Sequence, residues 1–540
     1  MKRFWSWLQT FFTEHPAKAL GLLAWLSALL IQSGDLASSD AHRRLQMASS
    51  FWTDEPEVLP GDYPEFGLKG PDGRVHAWNG MGQALVFIPF DVTARGIVNA
   101  AGLKGKIAKK VYFALVAGLY QPLLAACGIM AAFYLLLELQ FSARHAAWGC
   151  LGLLYGSTFF VYSAIGQENN LIFFTTTFGL VHLARWVRSG NRLNLLIYAV
   201  SLGFGVLIRL TQVLDLAATA LLLLVVLLKS DTSSFSKRLK HGVLIVLPVW
   251  SLTVFLDRWF QWHRFGSWTN TYSGIYGQEM HKLYPDLPPT YPFSGSFWDG
   301  FSGQFLSPSF SVFLFDPLLL PCLILLFTQI RKADAWKRLL GFFVVGLFLL
   351  QALFYARYYA WHGASGWGSR YVTTPCQLLV LLGCAWMAAN WLRWKPWTRH
   401  ILGICILGSI TLQLSGTALS YNLELTQHPF LNFYVTIILR LVNVIAVFTG
   451  NFYTWGLGLR EWGAGACAWN YLPIRASGYL PPGLCAILWS VWAVLGVLWI
   501  CLLTATLKAL KSMDPHRINT FPNPNPSATP AIPSTNESVT

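Results

Sequence analysis

Two acids and three arginines in this chain stand beside apolar stretches, each unremarkable singly, and together they put acids and guanidinium groups near one membrane face. Asp40, in Ser38-Ser39-Asp40-Ala41, follows a few residues after the first apolar stretch. Glu168, in Gly166-Gln167-Glu168-Asn169-Asn170, sits in a very short turn between two further apolar stretches. A carboxylate within reach of a hydroxyl can remove its proton. Arg209, Arg264 (in His263-Arg264-Phe265-Gly266-Ser267) and Arg370 (in Trp367-Gly368-Ser369-Arg370-Tyr371) lie at the ends of apolar runs. Their planar, forked donors suit phosphate, and fixed cations in a partly dehydrated site favour the departure of an anion.

Each residue also has an ordinary reading. Asp40 can be a helix N-cap for 41–51, with Asp35, Asp54 and Glu55 as competing acids nearby. Glu168 can be a solvated turn residue, and Arg209 can snorkel to the interface beside Asp215. Tyr358, Tyr359, Trp361 and Trp367 can form an interfacial aromatic belt. His76 and His362 can be polar loop residues. No CxxC, HxxxH or HExxH spacing marks a metal site, so no cofactor is expected, with a divalent metal left open.

The elements that must position these groups are membrane helices. Of 540 residues, 54% are hydrophobic and 12% charged, with a mean hydropathy of +0.46. A soluble chain carries roughly twice that share of charge, and repeated apolar runs near 20 residues identify a multi-spanning helical protein. The net charge of +15 comes from Lys and Arg in short loops, as for 185–192, 237–240, 331–338 and 393–399, which is the positive-inside pattern rather than a nucleic-acid surface. The nine cysteines are scattered singly, mostly in spans (Cys127, Cys322, Cys384, Cys501), with Cys467 in a large outer loop; no disulfide framework is indicated. After Lys2 and Arg3, the first span is read as retained rather than as a cleaved signal.

Spans are expected near 17–33, 111–138, 147–165, 170–186, 195–210, 212–229, 241–257, 313–330, 338–356, 373–391, 400–418 and 484–507. The fold class is therefore an all-α polytopic membrane protein of about twelve transmembrane helices with both ends cytoplasmic. Two stretches resist that count. Gln83 to Ala101 is read as interfacial or re-entrant on the outer side, because Lys104, Lys106, Lys109 and Lys110 would otherwise lie inside. Phe433 to Phe448 is interrupted by Arg440 and Asn443. Long outer segments fall at about 34–110, 258–312, 358–372 and 419–483, which places binding or chemistry on that face. The tail 513–540 is low in complexity and is read as disordered.

The order of motifs resembles the GT-C superfamily of integral-membrane glycosyltransferases, in the bacterial branch similar to protein O-mannosyltransferases and lipid A aminoarabinose transferase. The resemblance spans about 17–420. It rests on Ser39-Asp40, Gly70-Pro71-Asp72-Gly73-Arg74, Gly80-Met81-Gly82-Gln83 with Pro89-Phe90, Glu168, Arg264-Phe265-Gly266-Ser267 with Thr271-Tyr272, Leu306-Ser307-Pro308, Phe315-Asp316-Pro317 and Trp361 to Tyr371. Gly368-Ser369-Arg370 stands where the family has Gly-Pro-Arg, and the Pro-rich continuation is reduced to Thr373-Thr374-Pro375.

The resemblance implies a GT-C-like catalytic region over 1–420, with interfacial helices in the 34–110 loop. An outer segment without an assigned role (421–483), a last transmembrane helix (484–512) and the tail follow it. It implies inverting transfer of a sugar from a polyprenyl-phosphate-linked donor to a hydroxyl on a glycan, lipid or protein acceptor, at the periplasmic face of the inner membrane. By that likeness Asp40 is the general base and Glu168 the second acid. Arg264, Arg370 and Arg209 hold the donor phosphate, and Tyr371, His362, Trp361 and His76 complete the substrate contacts. The competing reading is a transporter or lipid-handling protein without glycosyl transfer. Convergence of Asp40, Glu168 and Arg370 on one cavity about 10 Å across separates the two.

Overall fold

A computed structural model describes residues 2–62, 67–229, 232–363, 366–420, 423–424, 427, 435–451 and 469–513. Cys467, parts of the 421–483 segment (421–422, 425–426, 428–434 and 452–468) and the tail from 514 onward lie outside the described residues. Eight helices among the described residues are long and apolar enough to cross a membrane by length and composition, and Pro16–Leu30, Arg192–Ile208 and Thr436–Thr449 are shorter apolar helices. The multi-span helical class read from the sequence agrees with this architecture.

The centre of the bundle is the helix Thr373–Asn390, buried continuously from Thr373 to Met387. From Leu378 to Ala389 its sequence carries no charged or amide side chain on any face, and such a helix belongs inside. It packs on Ala143–Gly156 and Leu319–Gln329, approaching so closely that a Cβ on Gly383 would lie 2.2 Å from the Cβ of Cys322. The peripheral helix Pro482–Ser512 instead exposes Ile487, Val494, Val497 and Ile500, an apolar surface that needs hydrocarbon rather than water around it.

Several spans differ from expectation for identifiable reasons. The first apolar helix begins at Pro16, whose ring suits the first helical turn, and a separate helix Lys2–Glu14 precedes it. The stretch 147–165 breaks at Ser157 into Ala143–Gly156 and Thr158–Tyr162. The stretch 313–330 breaks at Asp316-Pro317 into Val312–Phe315 and Leu319–Gln329. The two breaks repair each other. Asp316 accepts hydrogen bonds from the Thr158 backbone N–H at 2.6 Å and from its hydroxyl at 3.0 Å, which satisfies groups freed by the interruption.

Gln83 to Ala101 belongs to the helix Met81–Ala100, which meets the length and hydropathy of a span. Its one buried acid, Asp91, is fully satisfied by Ser49, Trp52, Tyr112 and Arg95. Phe433 to Phe448 yields Thr436–Thr449, 14 residues, about 21 Å of helix against the roughly 30 Å of a bilayer core. Before Met81 the chain adds a feature outside the all-helical reading, an antiparallel hairpin of Gly67–Lys69 and Val75–Ala77 with Leu68 opposite His76.

Candidate active site

The short helix Ser39–Ser50 carries Asp40, Arg43 and Arg44. Positions i, i+3 and i+4 share a helix face, so one acid and two guanidinium groups are presented together. Asp40 is not the N-cap of this helix. Ser38 occupies that position, and Asp40 lies in the first turn, where the helix dipole favours an anion. Its carboxylate reaches across the fold to Arg370, with Nη1 to Oδ2 at 3.0 Å, while Arg43 stands at 3.7 Å. The side chain of Asp40 keeps 30% of its surface exposed. Burial pushes this carboxyl up, but Arg370 and Arg44 outweigh it and hold the group below its ordinary value.

Glu168 is not a solvated turn residue. It is 2% exposed, at the N-terminal boundary of the helix Asn169–Ser189, and one carboxylate oxygen takes Arg44 while the other takes Arg209. Burial again raises the carboxyl, and Arg209, Arg44 and Arg370 together drive it well below its ordinary value. Arg44 also donates to the Gln83 side-chain oxygen at 2.8 Å, and Gln83 donates to the Gly166 carbonyl at 2.7 Å. Asn169 donates to the Arg370 carbonyl at 2.7 Å. The turn that bears Glu168 and the loop that bears Arg370 are thus fastened to one another.

Arg209 and Arg370 both lie over Tyr371, each 5.3 Å from the ring centroid, and Tyr371 stacks on Tyr355 at 4.2 Å. His362 stacks on Phe310 at 4.1 Å. Burial, then the nearby Arg370 charge, push the imidazole down to about 4. Trp361 packs edge-on against the same Phe310. Gly363, with φ of +89°, passes so close that a Cβ there would lie 2.4 Å from the Arg370 Cγ.

Asp40, Glu168, Arg209, Arg370, Tyr371 and His362 therefore gather at one end of the bundle, with Trp361 beside His362. Arg264 and His76 do not join them. Arg264 is 2% exposed and is occupied by Glu57 at 2.7 Å and by the carbonyls of Ala77 and Asn79. His76 bonds the same Glu57 at 2.8 Å and Asp72 at 3.1 Å. Both tie the hairpin to the end of the helix Leu247–Phe265. Grouping arginines by membrane face overlooked the acid at 57 that claims one of them. Two of the three competing acids are committed elsewhere: Asp35 to His42 and Glu55 to Arg95.

The sequence reading missed Arg43 and Arg44, although their spacing from Asp40 was the available signal. With them, the ion-paired cluster holds four guanidinium groups against two carboxylates. Within these pairs alone, among the described residues, guanidinium groups outnumber carboxylates by two, with Asp215 near Arg209 outside them, and the arrangement suits an anion. Among the described residues, no group of three or more His, Cys, Asp or Glu side chains is arranged to hold a metal ion.

Beside the cluster lies a half-open cavity of about 710 Å³, reached by Ser39, His42 and Arg43 and walled by Leu45, Val98 and Phe113.

No family model and no curated protein matches this chain. Among solved structures, the chain is similar to the crystal structure of ArnT from Cupriavidus metallidurans bound to undecaprenyl phosphate, at 16% identity and a TM-score of 0.42. The match covers 91% of this chain and 76% of that one.

Proposed function

We propose that this protein is an inverting glycosyltransferase that moves a sugar from a polyprenyl-phosphate-linked donor to a hydroxyl acceptor at the extracytoplasmic face of the inner membrane. The observation that carries the reading is the cluster of two carboxylates and four guanidinium groups drawn from four distant stretches of chain. These guanidinium groups are largely withdrawn from water, and cations so placed favour an anion beside them. A phosphate that leaves with its bonding electrons supplies that charge as it forms.

In this reading Asp40 is the general base. Held ionised by Arg370 and Arg44, it takes the acceptor proton as the acceptor oxygen bonds to the anomeric carbon. The bond from that carbon to the phosphate oxygen breaks, and Arg370 and Arg209 receive the departing phosphate. Glu168 holds Arg44 and Arg209 at fixed positions, and both phosphate-facing guanidinium groups lie against Tyr371. His362 and Trp361 line the donor side. Arg264 and His76 are assigned to shaping the hairpin rather than to substrate.

The acceptor enters by the 710 Å³ cavity, a volume within the range of small-molecule sites. Arg43 borders both the cavity and Asp40, which in this reading is the side from which an acceptor hydroxyl approaches the base. Glycan, lipid and protein acceptors all remain compatible with that entry.

The test is a mass-spectrometric profile of envelope glycans and glycolipids from cells lacking the gene, complemented with wild type, Asp40→Asn or Arg370→Lys. Wild type restores a glycosylated product. Asp40→Asn does not, at equal membrane abundance, and Arg370→Lys restores only part because a point charge replaces a fork. Full restoration by Asp40→Asn removes the base from the mechanism.

A further inference from the structure

We propose that Arg440, in the late segment to which the sequence assigned no role, is a positioning residue that sets the place of Arg370 by clamping Trp367. The inference rests on the transferase reading only for what Arg370 then does.

Arg440 lies in the helix Thr436–Thr449 and is wholly buried. Its guanidinium donates to the carbonyls of Leu419 at 3.2 Å and Ser420 at 2.8 Å, just past the end of the helix Pro396–Ala418. It pairs with Glu424 at 2.6 Å, and Glu424 accepts a second bond from Asn443 at 2.9 Å. A buried pair that did only this would be a local staple. The distinguishing contact is the Trp367 ring, whose centroid is 5.1 Å from the Arg440 guanidinium carbon. Desolvated cation–π contacts are at the strong end of their range.

Trp367 stands three residues before Arg370 and is 1% exposed. Its indole N–H donates to Gln413 at 3.3 Å, its edge meets Phe315 at 4.9 Å, and its carbonyl accepts from the Tyr162 hydroxyl at 3.1 Å. A Cβ on Gly416 would lie 2.8 Å from the ring. The ring thus sits in a slot cut by the helix Pro396–Ala418, and Arg440 covers it. From that anchor the chain turns through Gly368 to Arg370, whose carbonyl is held by Asn169. Removal of the cover leaves Trp367 free to tilt, and the Arg370 guanidinium loses its register with Asp40.

A single substitution of Arg440 strands the buried Glu424 charge and can unfold the protein, so the test uses Arg440→Met combined with Glu424→Met, with Arg440→Lys alongside. Two measurements are made in detergent: hydrogen–deuterium exchange without ligand, and binding of a long-chain polyprenyl phosphate. In the double variant the amides of 366–372 exchange about tenfold faster while those of 376–387 stay unchanged. Affinity for polyprenyl phosphate falls about tenfold, the size of a partly lost charge-assisted hydrogen bond. Arg440→Lys falls between. Wild-type exchange over 366–372, or equal acceleration through 376–387, overturns the positioning role. If 366–372 loosens but the wild-type protein binds no polyprenyl phosphate, the clamp stands and the donor assignment fails instead.

Discussion

Replacing Glu168 with Gln is the sharpest perturbation of the charged cluster. The carboxylate is 2% exposed and serves Arg44 through one oxygen and Arg209 through the other. The substitution keeps the shape and removes the charge, so four guanidinium groups face one carboxylate and the excess rises from two positive charges to three. Breaking a buried pair from one side costs about 3–5 kcal/mol, and the expected loss of unfolding free energy is of that size. Adding Arg44→Met to Glu168→Gln returns the excess to two and recovers about half of it, because a neutral side chain of similar length replaces the stranded cation. Pair replacement is far milder than pair breakage.

The sign of the pH effect follows from the same geometry. The folded carboxyl of Glu168 lies well below its ordinary value, so its contribution is present above the unfolded pKa of about 4.3 and is lost as pH falls through the folded one. Glu168→Gln therefore flattens the acid limb of the stability profile below about pH 4. The assay is denaturant-induced unfolding of the detergent-solubilised protein, followed by tryptophan fluorescence from pH 3 to 8. A Glu168→Gln variant as stable as wild type at pH 7, or a double variant that loses the sum of both single changes, refutes the account.

Two further outcomes follow from neighbouring residues. Gly363→Ala places a methyl 2.4 Å from the Arg370 Cγ at a φ of +89°; the expected result is a tenfold or greater loss of polyprenyl-phosphate affinity with roughly 1–3 kcal/mol lost in stability, and an unchanged affinity argues against the placement of Arg370 beside that glycine. His362 has its folded value pushed down to about 4, so the unfolded chain binds the extra proton between that value and about 6.5, and stability falls as pH drops through this window. His362→Phe keeps the stack on Phe310 and abolishes that loss. A wild-type slope between pH 6.5 and 4 in the variant assigns the titration to another group.

The helical class was legible because local pattern encodes it, and so was the presence of isolated charges at Asp40, Glu168, Arg209 and Arg370 beside apolar runs. Apolar runs mark helices, and a charge beside such a run is conspicuous. What local pattern does not encode is which charge claims which. Glu57 claims Arg264 across 207 positions, and Arg44 reaches Glu168 across 124. Counting arginines on one membrane face thus gathered Arg264 with Arg370, although they belong to different ion-pair networks. The N-cap alternative for Asp40 failed for a similar reason. Ser38 was equally suited to cap the helix, and the carboxylate found its partner far along the chain. The span breaks were passed over because long apolar stretches flank them, although Ser157-Thr158 and Asp316-Pro317 do interrupt those stretches; the pairing of Asp316 with Thr158 satisfies the groups freed there.

The reach from Asp40 to Arg370 covers 330 positions. A ribosome delivers the carboxylate long before its counter-ion, so most of the bundle must be threaded into the bilayer while that acid waits among Arg43, Arg44 and water. A fragment ending short of residue 370 is therefore not a weakened version of the whole. It can join Glu168 to Arg44 and Arg209, yet it holds half a lock, and the missing half is supplied only when the loop at 366–372 closes over it.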